Sequence, residues 1–364
     1  MASTSKAIDG LADVRRESGL HLINRVKQTT DPPGDSFIQD FDSHIIRAFP
    51  KLEQTLPKSS WARGDIIEIQ GPAASGKTHL LYFWAMTCVL PYRMDVNLEG
   101  YQEKKDVLIV RRLNAIISSY LRDRLGTILP QDTPESYDRI ISQAVINALK
   151  RVHLFRPDST LSLATTLMAI PTYHRTGMAD EQIGMLMVDG ISSFYWSDRW
   201  LSEQIENEPA EVQTTAPQPP PPPPLRSDAN PLRHVLTVIL NLRRSLGLVA
   251  LLTNWGLAAL DSQVPPSTVY FRQHLRAPYP SPFESEPRAS KFSLTHHITI
   301  PLQGPEPLRD DVLPEDETGD QEREDQAERS RAMARTIGKR PGEARTVIES
   351  ELEFTVTESG ISVS

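Results

Sequence analysis

The sequence predicts an α/β protein built on a mainly parallel sheet flanked by helices. Short apolar runs, typical of strands buried on both faces, alternate with longer amphipathic patterns typical of helices. This alternation indicates strand–helix–strand units, whose strands run parallel. The chain has 364 residues, of which 39 % are hydrophobic, so it is long enough to bury one sizeable core.

The candidate strands follow one another from residue 65 to the C-terminus. The apolar runs are DIIEIQ at 65–70, VLIV at 107–110, VHLF at 152–155, GMLMVD at 184–189 and GLVALLT at 247–253. Two further strand patterns, KFSLTHHITI and ELEFTVTESGISVS, lie beyond residue 290, and the adjacent histidines 296 and 297 would face opposite sides of a strand. Helical patterns cover 77–90, 135–150 and 227–245, with a shorter one near GLHLINRV.

Two segments are too rich in proline or charge to belong to the core. Six consecutive prolines occupy 219–224, and because proline cannot continue a helix or an internal strand, 205–226 is predicted as an exposed insertion. The charged segment 303–345 is predicted as a disordered insertion. The remaining parts are a partly helical N-terminal segment 1–60, a core over 61–302 and a final core strand over 346–364.

The composition excludes several classes of protein. The chain carries 47 acidic and 39 basic residues, a formal charge of −8, so any DNA contact must be local or shared with partners. Its single cysteine, Cys88, excludes an internal disulfide and fits a reducing compartment. No apolar run has the length of a membrane span, and the polar N-terminus does not resemble a secretory signal. We therefore expect a soluble intracellular protein.

The stretch GPAASGKT matches the pattern G-x-x-x-x-G-K-[S/T] between a predicted strand and a predicted helix. Its glycines allow the backbone to curl until several N–H groups point at one anion beside a helix N-terminus. Lys77 can neutralise the β- and γ-phosphates of ATP, and the Thr78 hydroxyl can bind Mg²⁺. The predicted nucleotide-binding residues of this loop are Gly71, Pro72, Ala73, Ala74, Ser75, Gly76, Lys77 and Thr78.

A second signal for a nucleotide site is the apolar strand pattern GMLMVDG, which ends in Asp189. A carboxylate at this place holds a Mg²⁺-bound water opposite the loop threonine. Apolar strands also end in aspartate simply because aspartate starts turns. Combined with the loop, Asp189 is predicted as the second residue of a magnesium site.

These residues resemble a known family. GDIIEIQGPAASGKTHLLYFWAMTCVLP together with MLMVDGISSFYWSDR resembles the RecA-type recombinases and, within them, the eukaryotic recombinase paralogues. The resemblance covers about residues 60–200 well, and 227–300 and 350–364 loosely, with FYWSDR as its most specific element. It implies a RecA-like P-loop ATPase core that acts in the nucleus in homologous recombination and DNA double-strand break repair. It also implies a complex with other recombinase paralogues that assists the main strand-exchange recombinase.

One departure from the family bears on hydrolysis. In active members, the strand after the loop helix ends in an acidic residue that polarises the attacking water. Here the predicted strand reads DVLIVRRLN, which places Arg111 and Arg112 there, and arginine stays protonated and cannot act as a base. Because general-base catalysis contributes about 10²–10⁴-fold, we expect weak or no ATP hydrolysis. If the strand is aligned differently, Glu99 or Asp123 would supply the carboxylate.

Two other functions compete with a nucleotide-binding subunit. An active DNA-stimulated ATPase of the same family requires a working carboxylate. A small-molecule P-loop kinase requires an acceptor pocket and an arginine-bearing lid, for which LRDRLG at 121–126 is the candidate.

The resemblance also assigns roles outside the loop. Asn254, in LLTNWG, lies at the strand end where a polar residue senses the γ-phosphate, although a plain turn residue is the alternative. In SSFYWSDRW, Arg199 is predicted to contact DNA or a partner, whereas Phe194 and Trp196 are predicted as core or interface residues. The chain has no Phe-x-x-Ala sequence, the motif through which recombinases polymerise, so self-assembly by that route is not expected. DNA is expected to bind within the complex.

Overall fold

The fold is known from a computed structural model, which describes the chain in separate stretches. These are residues 34–49, 60–90, 108–126, 134–178, 182–207, 230–259, 271–273, 275, 279–280, 292–301, 329–337, 348–357 and 360–362. The helices are α1 (Gln39–Ala48), α2 (Lys77–Val89), α3 (Leu108–Gly126), α4 (Pro134–Leu149), α5 (Thr160–Gly177), α6 (Tyr195–Asn207) and α7 (Leu232–Leu246). The strands are β1 (Ile66–Gly71), β2 (Met185–Val188), β3 (Val249–Ala259), β4 (Phe271–Gln273), β5 (His296–Thr299), β6 (Arg329–Thr336), β7 (Ile348–Thr357) and β8 (Gly360–Ser362).

The strands form one mixed sheet in the order β2-β3-β1-β5-β6-β7-β8, with β4 paired to β3. The pairs β2–β3, β3–β1 and β1–β5 are parallel. The pairs β5–β6, β6–β7, β7–β8 and β3–β4 are antiparallel. The prediction of an α/β protein is confirmed, but the prediction of a mainly parallel sheet is wrong. The C-terminal strands β5 to β8 each run opposite to the one before, which makes the sheet mixed.

Helices cover both faces of the parallel half of the sheet. Ile67 and Ile69 of β1 face a core layer formed with α1, α2, α3 and α4. Ile66 faces the opposite way, into a second layer formed with α5 and α7. β1 is buried along its whole length, its isoleucines together with the polar Glu68 and Gln70. None of the described helices is long and apolar enough to cross a membrane.

The predicted helices agree with the structure. The patterns at 77–90, 135–150 and 227–245 correspond to α2, α4 and α7. The side-chain oxygen of Asn230 accepts a hydrogen bond from the Leu232 backbone N–H at 3.0 Å, so a polar side chain starts α7 beside Pro231. α7 ends at Leu246 and is followed by Gly247, whose φ of 62° lies in the left-handed region that favours glycine.

The predicted strand VLIV at 107–110 is wrong, because residues 108–110 begin helix α3. Apolar residues recur along this helix at helical spacing, with Leu113, Ile116 and Ile117 buried against the layer that contains α2. A short apolar run cannot be distinguished from the start of a helix by periodicity alone. Arg111 and Arg112 therefore lie inside a helix and not at a strand end.

The predicted strand VHLF at 152–155 is also wrong, since residues 152–157 have no regular structure. Leu154 is 53 % exposed and Phe155 is 44 % exposed. Tyr173 of α5 packs edge-on against Phe155, with ring centroids 5.5 Å apart. Phe155 thus packs on the surface of α5, and residues 152–157 do not form part of the sheet.

The charged segment 303–345 contains one core strand, contrary to the prediction of a disordered insertion. Arg329–Thr336 forms β6, in which Ala332, Ala334 and Thr336 are buried while the residues between them are more exposed. The strand was missed because its buried residues are small and its other residues include arginines. Residues 302–328 and 338–347 lie outside the described residues.

The other predicted segments fall largely outside the described residues. Within the proline-rich insertion 205–226, residues 205–207 end α6, and 208–229 are not described. The helical pattern GLHLINRV also lies outside them. Of the N-terminal segment 1–60, α1 is helical and belongs to the core. The division of the chain into domains stays a prediction.

Helix α1 is attached to the core by an aromatic cluster and a buried histidine. The ring of Phe41 lies 5.5 Å from Trp61 and 5.7 Å from Trp84, centroid to centroid. His44 hydrogen-bonds through Nδ1 to Ser350 Oγ at 2.8 Å and through Nε2 to Thr336 Oγ1 at 2.9 Å. One imidazole therefore connects α1 to both β6 and β7.

We predict that His44 makes the fold sensitive to acid. Burial, followed by the charge of Arg47, lowers the pKa of His44 to about 4 from 6.5. Below pH 6.5 the unfolded chain takes up a proton that the folded chain does not bind until about pH 4. The free energy of unfolding should therefore fall as the pH falls between these values, by at most about 1.4 kcal/mol per pH unit for this group.

Urea unfolding as a function of pH measures this effect. His44→Gln, which retains hydrogen-bonding groups but does not titrate, should show a shallower pH dependence than the wild type. His153→Gln, at an exposed histidine, is the matched control and should leave the slope unchanged. Equal slopes for His44→Gln and the wild type would contradict the assignment.

Candidate nucleotide-binding site

The glycine-rich loop joins β1 directly to α2. A Cβ atom on Gly71 would lie 2.5 Å from the carbonyl oxygen of Ile300 and 2.5 Å from Ser75 Oγ, so only glycine fits there. Gly76 precedes α2 with a φ of 88°, in the left-handed region that favours glycine. The two glycines therefore allow the chain to leave the end of β1, curl, and enter the helix within a few residues.

Lys77 lies over the inside of the loop. Its Nζ donates to the carbonyl oxygens of Gly71, at 2.9 Å, and of Pro72, and lies 3.4 Å from Ser75 Oγ. Burial lowers the pKa of Lys77 to about 8, although the nearby Asp189 carboxylate raises it. The ammonium group is thus held where the loop would receive an anion, with its charge only partly compensated.

Thr78 and Asp189 meet beside the loop. The Thr78 hydroxyl oxygen lies 3.1 Å from Oδ2 and 3.3 Å from Oδ1 of Asp189, across 111 positions of the sequence. Asp189 follows β2 immediately and is exposed, whereas Thr78 lies in the first turn of α2. A hydroxyl and a carboxylate at this separation fit the oxygen-rich coordination that Mg²⁺ prefers, directly or through water.

Thr253 of β3 holds the Asp189 carboxylate in place and was missed in the sequence. Its hydroxyl donates to Asp189 Oδ1 at 2.7 Å and accepts from the backbone N–H of Gly190 at 2.6 Å. Thr253 directly precedes Asn254 in LLTNWG, and successive residues of a strand point to opposite faces. The pleat of β3 could have identified Thr253, because Leu251, two residues earlier, faces the layer that contains α2.

Asn254 points to the other face of the sheet and belongs to a buried polar network. Its amide nitrogen donates to Glu68 Oε1 at 2.8 Å. Glu68 Oε2 lies 2.8 Å from His297 Nδ1, and His297 Nε2 lies 2.8 Å from Thr299 Oγ1. Burial, followed by the Glu68 carboxylate, raises the pKa of the Tyr279 hydroxyl. The role of Asn254 in sensing phosphate stays a prediction, and in this arrangement its amide binds Glu68.

Arg199 and the neighbouring tryptophans lie on the surface of α6. The Arg199 guanidinium packs over the Trp196 ring at 5.7 Å, and its Nε donates to Glu203 at 2.7 Å. Trp196 is 51 % exposed and Trp200 is 59 % exposed. Trp196 was predicted as a core or interface residue; the core position is wrong, since the indole packs on Tyr195 and Arg199 at the surface, and the interface role stays a prediction.

A third exposed indole lies near the carboxyl end of β3. The Trp255 backbone N–H donates to Ser192 Oγ at 3.2 Å, which joins the end of β3 to the turn after Asp189. Trp255 is 47 % exposed. Exposed aromatic rings therefore occur on α6, which follows β2 along the chain, and on β3 itself.

The fold and the site define an α/β protein in which a glycine-rich loop after β1 lies beside a carboxylate that follows β2, with β3 between the two strands. Among curated proteins, the chain is similar to the DNA repair protein XRCC2 of Mus musculus, with 27 % identity over 191 residues. The match covers 52 % of this chain and 56 % of the mouse protein, a little over half of its length. No protein-family model matches the chain.

This similarity supports part of the family prediction. Within the recombinase paralogues, the motifs resemble X-ray repair cross-complementing protein two. The comparison supports this resemblance as a distant similarity to the DNA repair protein XRCC2. Membership of the RecA-type family stays a prediction.

We predict that nucleotide binding weakens at alkaline pH through Lys77. With a pKa of about 8, Lys77 is mostly charged at pH 7 and loses its charge as the pH rises through 8. The dissociation constant for Mg–ATP should rise roughly fivefold between about pH 8 and about pH 9, until the pKa of the complex is reached. Equilibrium titration with a fluorescent ATP analogue measures this dependence.

Lys77→Arg provides the control, because arginine stays charged over the whole range. Its affinity, whatever its absolute value, should not change with pH in this interval. An equal change in both proteins would show that a group other than Lys77 is responsible.

Proposed function

We propose that the chain is the Mg–ATP-binding subunit of an assembly of recombinase paralogues. In this proposal it acts in the nucleus and assists homologous recombination and the repair of DNA double-strand breaks. The observation that carries the proposal is the meeting of Thr78 and Asp189 at 3.1 Å beside the glycine-rich loop. The similarity to a mouse DNA repair protein supports the cellular role.

Each residue of the loop would have a different role in binding the nucleotide. The backbone between Gly71 and Gly76 would surround the phosphates, and Lys77 would turn from the loop carbonyls to neutralise them. Thr78 would bind Mg²⁺ directly, and Asp189 would hold it through water. When bound, Mg²⁺ offsets the negative charge of the phosphates and fixes their orientation. Thr253 would keep the Asp189 carboxylate oriented, since it donates a hydrogen bond to Oδ1.

The proposal includes weak or absent ATP hydrolysis. Because Arg111 and Arg112 lie within α3 and not at a strand end, this part of the proposal rests on the carboxylates near the loop. Among the described residues, Asp189 is the only carboxylate in hydrogen-bonding contact with a side chain of the loop and its first helical turn. Glu68 is buried and bound to Asn254 and His297. Asp123, considered as an alternative base, lies 11 residues beyond Arg112 on α3, or about 16 Å along the helix. Glu99 lies outside the described residues.

The competing functions make different demands on the chain. An active DNA-stimulated ATPase needs a carboxylate that orients water, and the described part of the chain supports no candidate for it beside the loop. A small-molecule kinase needs a movable lid, but the LRDRLG segment considered for that role belongs to α3, with Leu121 buried in the core.

The exposed aromatic residues support a contact with DNA or a partner subunit. Trp196, Trp200 and Trp255 expose large ring surfaces, and Arg199 adds a positive charge beside Trp196. Aromatic faces stack on unpaired bases, whereas arginine pairs with phosphate. With a net charge of −8, this contact would be made within the complex. Polymerisation of the chain with itself is not part of the proposal.

Purification of the tagged full-length chain from its own cells tests this function. The proposal predicts that adenine nucleotide is recovered with the wild-type protein together with other recombinase paralogues. Lys77→Ala should lose the nucleotide because the loop cation is gone. Lys150→Ala, at an exposed lysine that follows α4, is the matched control and should retain it. Recovery without any nucleotide, or without recombination proteins, would contradict the nucleotide-binding or the assembly part respectively.

A further inference from the structure

A basic pair lies beside the glycine-rich loop and has no place in the function described so far. His79 follows Thr78 in the first turn of α2, and Arg112 lies on α3, which packs against α2. The Arg112 guanidinium contacts the His79 imidazole at Nε2 and lies 3.5 Å from Nδ1. The contact thus places a guanidinium one residue from a predicted magnesium ligand.

The charge of Arg112 is not neutralised within the described part of the chain. Arg122 is paired with Asp138 at 3.3 Å and Arg199 with Glu203 at 2.7 Å, whereas no described carboxylate lies within ion-pair distance of Arg112. His79 cannot neutralise it either, because an imidazole is neutral or positive. Arg112 is exposed, so its charge is available to an anion that approaches the loop.

His79 is suited to hold the guanidinium rather than to repel it. Nε2 of the imidazole is in contact with the Arg112 guanidinium. An uncharged imidazole has one nitrogen that accepts a hydrogen bond, whereas a guanidinium only donates. This contact fixes one edge of the guanidinium and leaves its other N–H groups available.

The charges of Asp189 and Arg112 both act on the hydroxyl of Tyr82. Tyr82 lies on α2 one turn after Thr78, and burial, followed by the Asp189 charge, raises the pKa of its hydroxyl, while Arg112 lowers it. The phenol therefore senses Asp189 and Arg112 together. The geometric link is helix α2 itself, since His79, which contacts Arg112, directly follows Thr78, whose hydroxyl contacts Asp189.

We propose that Arg112, held by His79, binds the terminal phosphate of a nucleoside triphosphate, so that the chain distinguishes ATP from ADP. The inference rests on the proposed nucleotide site. Thr78 and Asp189 would hold the Mg²⁺ that bridges the two outer phosphates, so a guanidinium held one residue from Thr78 would face the outermost phosphate. A guanidinium presents a planar fork that binds two phosphate oxygens at once, and it stays charged at any physiological pH.

The comparison of Mg–ATP and Mg–ADP affinities in the full-length chain tests this inference. Arg112→Gln should weaken Mg–ATP binding about tenfold, the loss of one charge-assisted hydrogen-bonded contact, and should change Mg–ADP binding less than about twofold. Arg112→Lys retains the charge without the fork and should fall between the two. His79→Gln should weaken Mg–ATP binding by a smaller factor than Arg112→Gln, because its amide can still accept a hydrogen bond.

Arg124→Gln is the matched control. It removes the same charge from the same helix, at a position 12 residues away where the guanidinium packs over Tyr120 at 5.5 Å. This control should leave both affinities unchanged, and circular dichroism of each variant checks that α3 is intact.

The outcomes separate this inference from the function on which it rests. If the wild type binds nucleotide and Lys77→Ala does not, but Arg112→Gln leaves the ratio of ATP to ADP affinity unchanged, the role of Arg112 is overturned and the nucleotide site stands. Equal losses for Arg112→Gln and Arg124→Gln would also overturn it, because the effect would then be general charge. If the wild type binds no nucleotide at all, both proposals are overturned.

Discussion

The hydrogen-bonded Asp189 carboxylate is the constraint on which the rest of the site depends. It accepts from Thr78 at the start of α2 and from Thr253 in β3, and it lies at the end of β2. Three elements that are distant in the sequence thereby meet at one point beside the glycine-rich loop. A carboxylate exposed to water would be free to rotate, so these two hydroxyls fix where a bound cation could lie relative to the loop.

The sheet explains why these elements meet there. β1, β3 and β2 are parallel neighbours, so their carboxyl ends lie at one edge, where ligands of α/β proteins commonly bind. Beneath that edge, the buried Glu68, Asn254 and His297 tie β1 to β3 and to β5. A buried carboxylate is costly unless it is hydrogen-bonded, and here both of its oxygens have a partner. The network therefore favours one register of the strands that carry the loop.

Much of this arrangement could be predicted from residue types whose local requirements are strict. Gly71 and Gly76, spaced as they are before Lys77, are typical of a tight turn between a strand and a helix, and Asp189 follows an apolar run that forms a strand. The opposite orientations of His296 and His297 were also predicted from the pleat of a strand. His296 packs against Phe41 and Phe49 on one face, whereas His297 binds Glu68 on the other.

The errors arose where short patterns are ambiguous or where tertiary contacts decide. VLIV has the composition of a strand but leads into a helix, because Leu113 and Ile116 continue at helical spacing. β6 was not predicted as a strand, because its buried residues include the small alanines Ala332 and Ala334 and do not form a strongly apolar pattern. Asn254 and not Thr253 was predicted as a site residue, because the sequence alone does not show which face of the sheet each residue of β3 points to. A shift of one residue exchanges the two faces. Finally, the contact between His79 and Arg112 joins α2 to α3, and no sequence pattern predicts it.

We propose that the chain binds Mg–ATP and hydrolyses it weakly or not at all. A single-turnover experiment tests it directly, with the full-length chain in excess over radiolabelled ATP, in the presence and absence of single-stranded DNA. We expect ATP to be bound by the wild type, not by Lys77→Ala, and to be recovered intact after the bound state has formed. Rapid conversion of the bound ATP to ADP, abolished in Lys77→Ala, would instead establish an active ATPase.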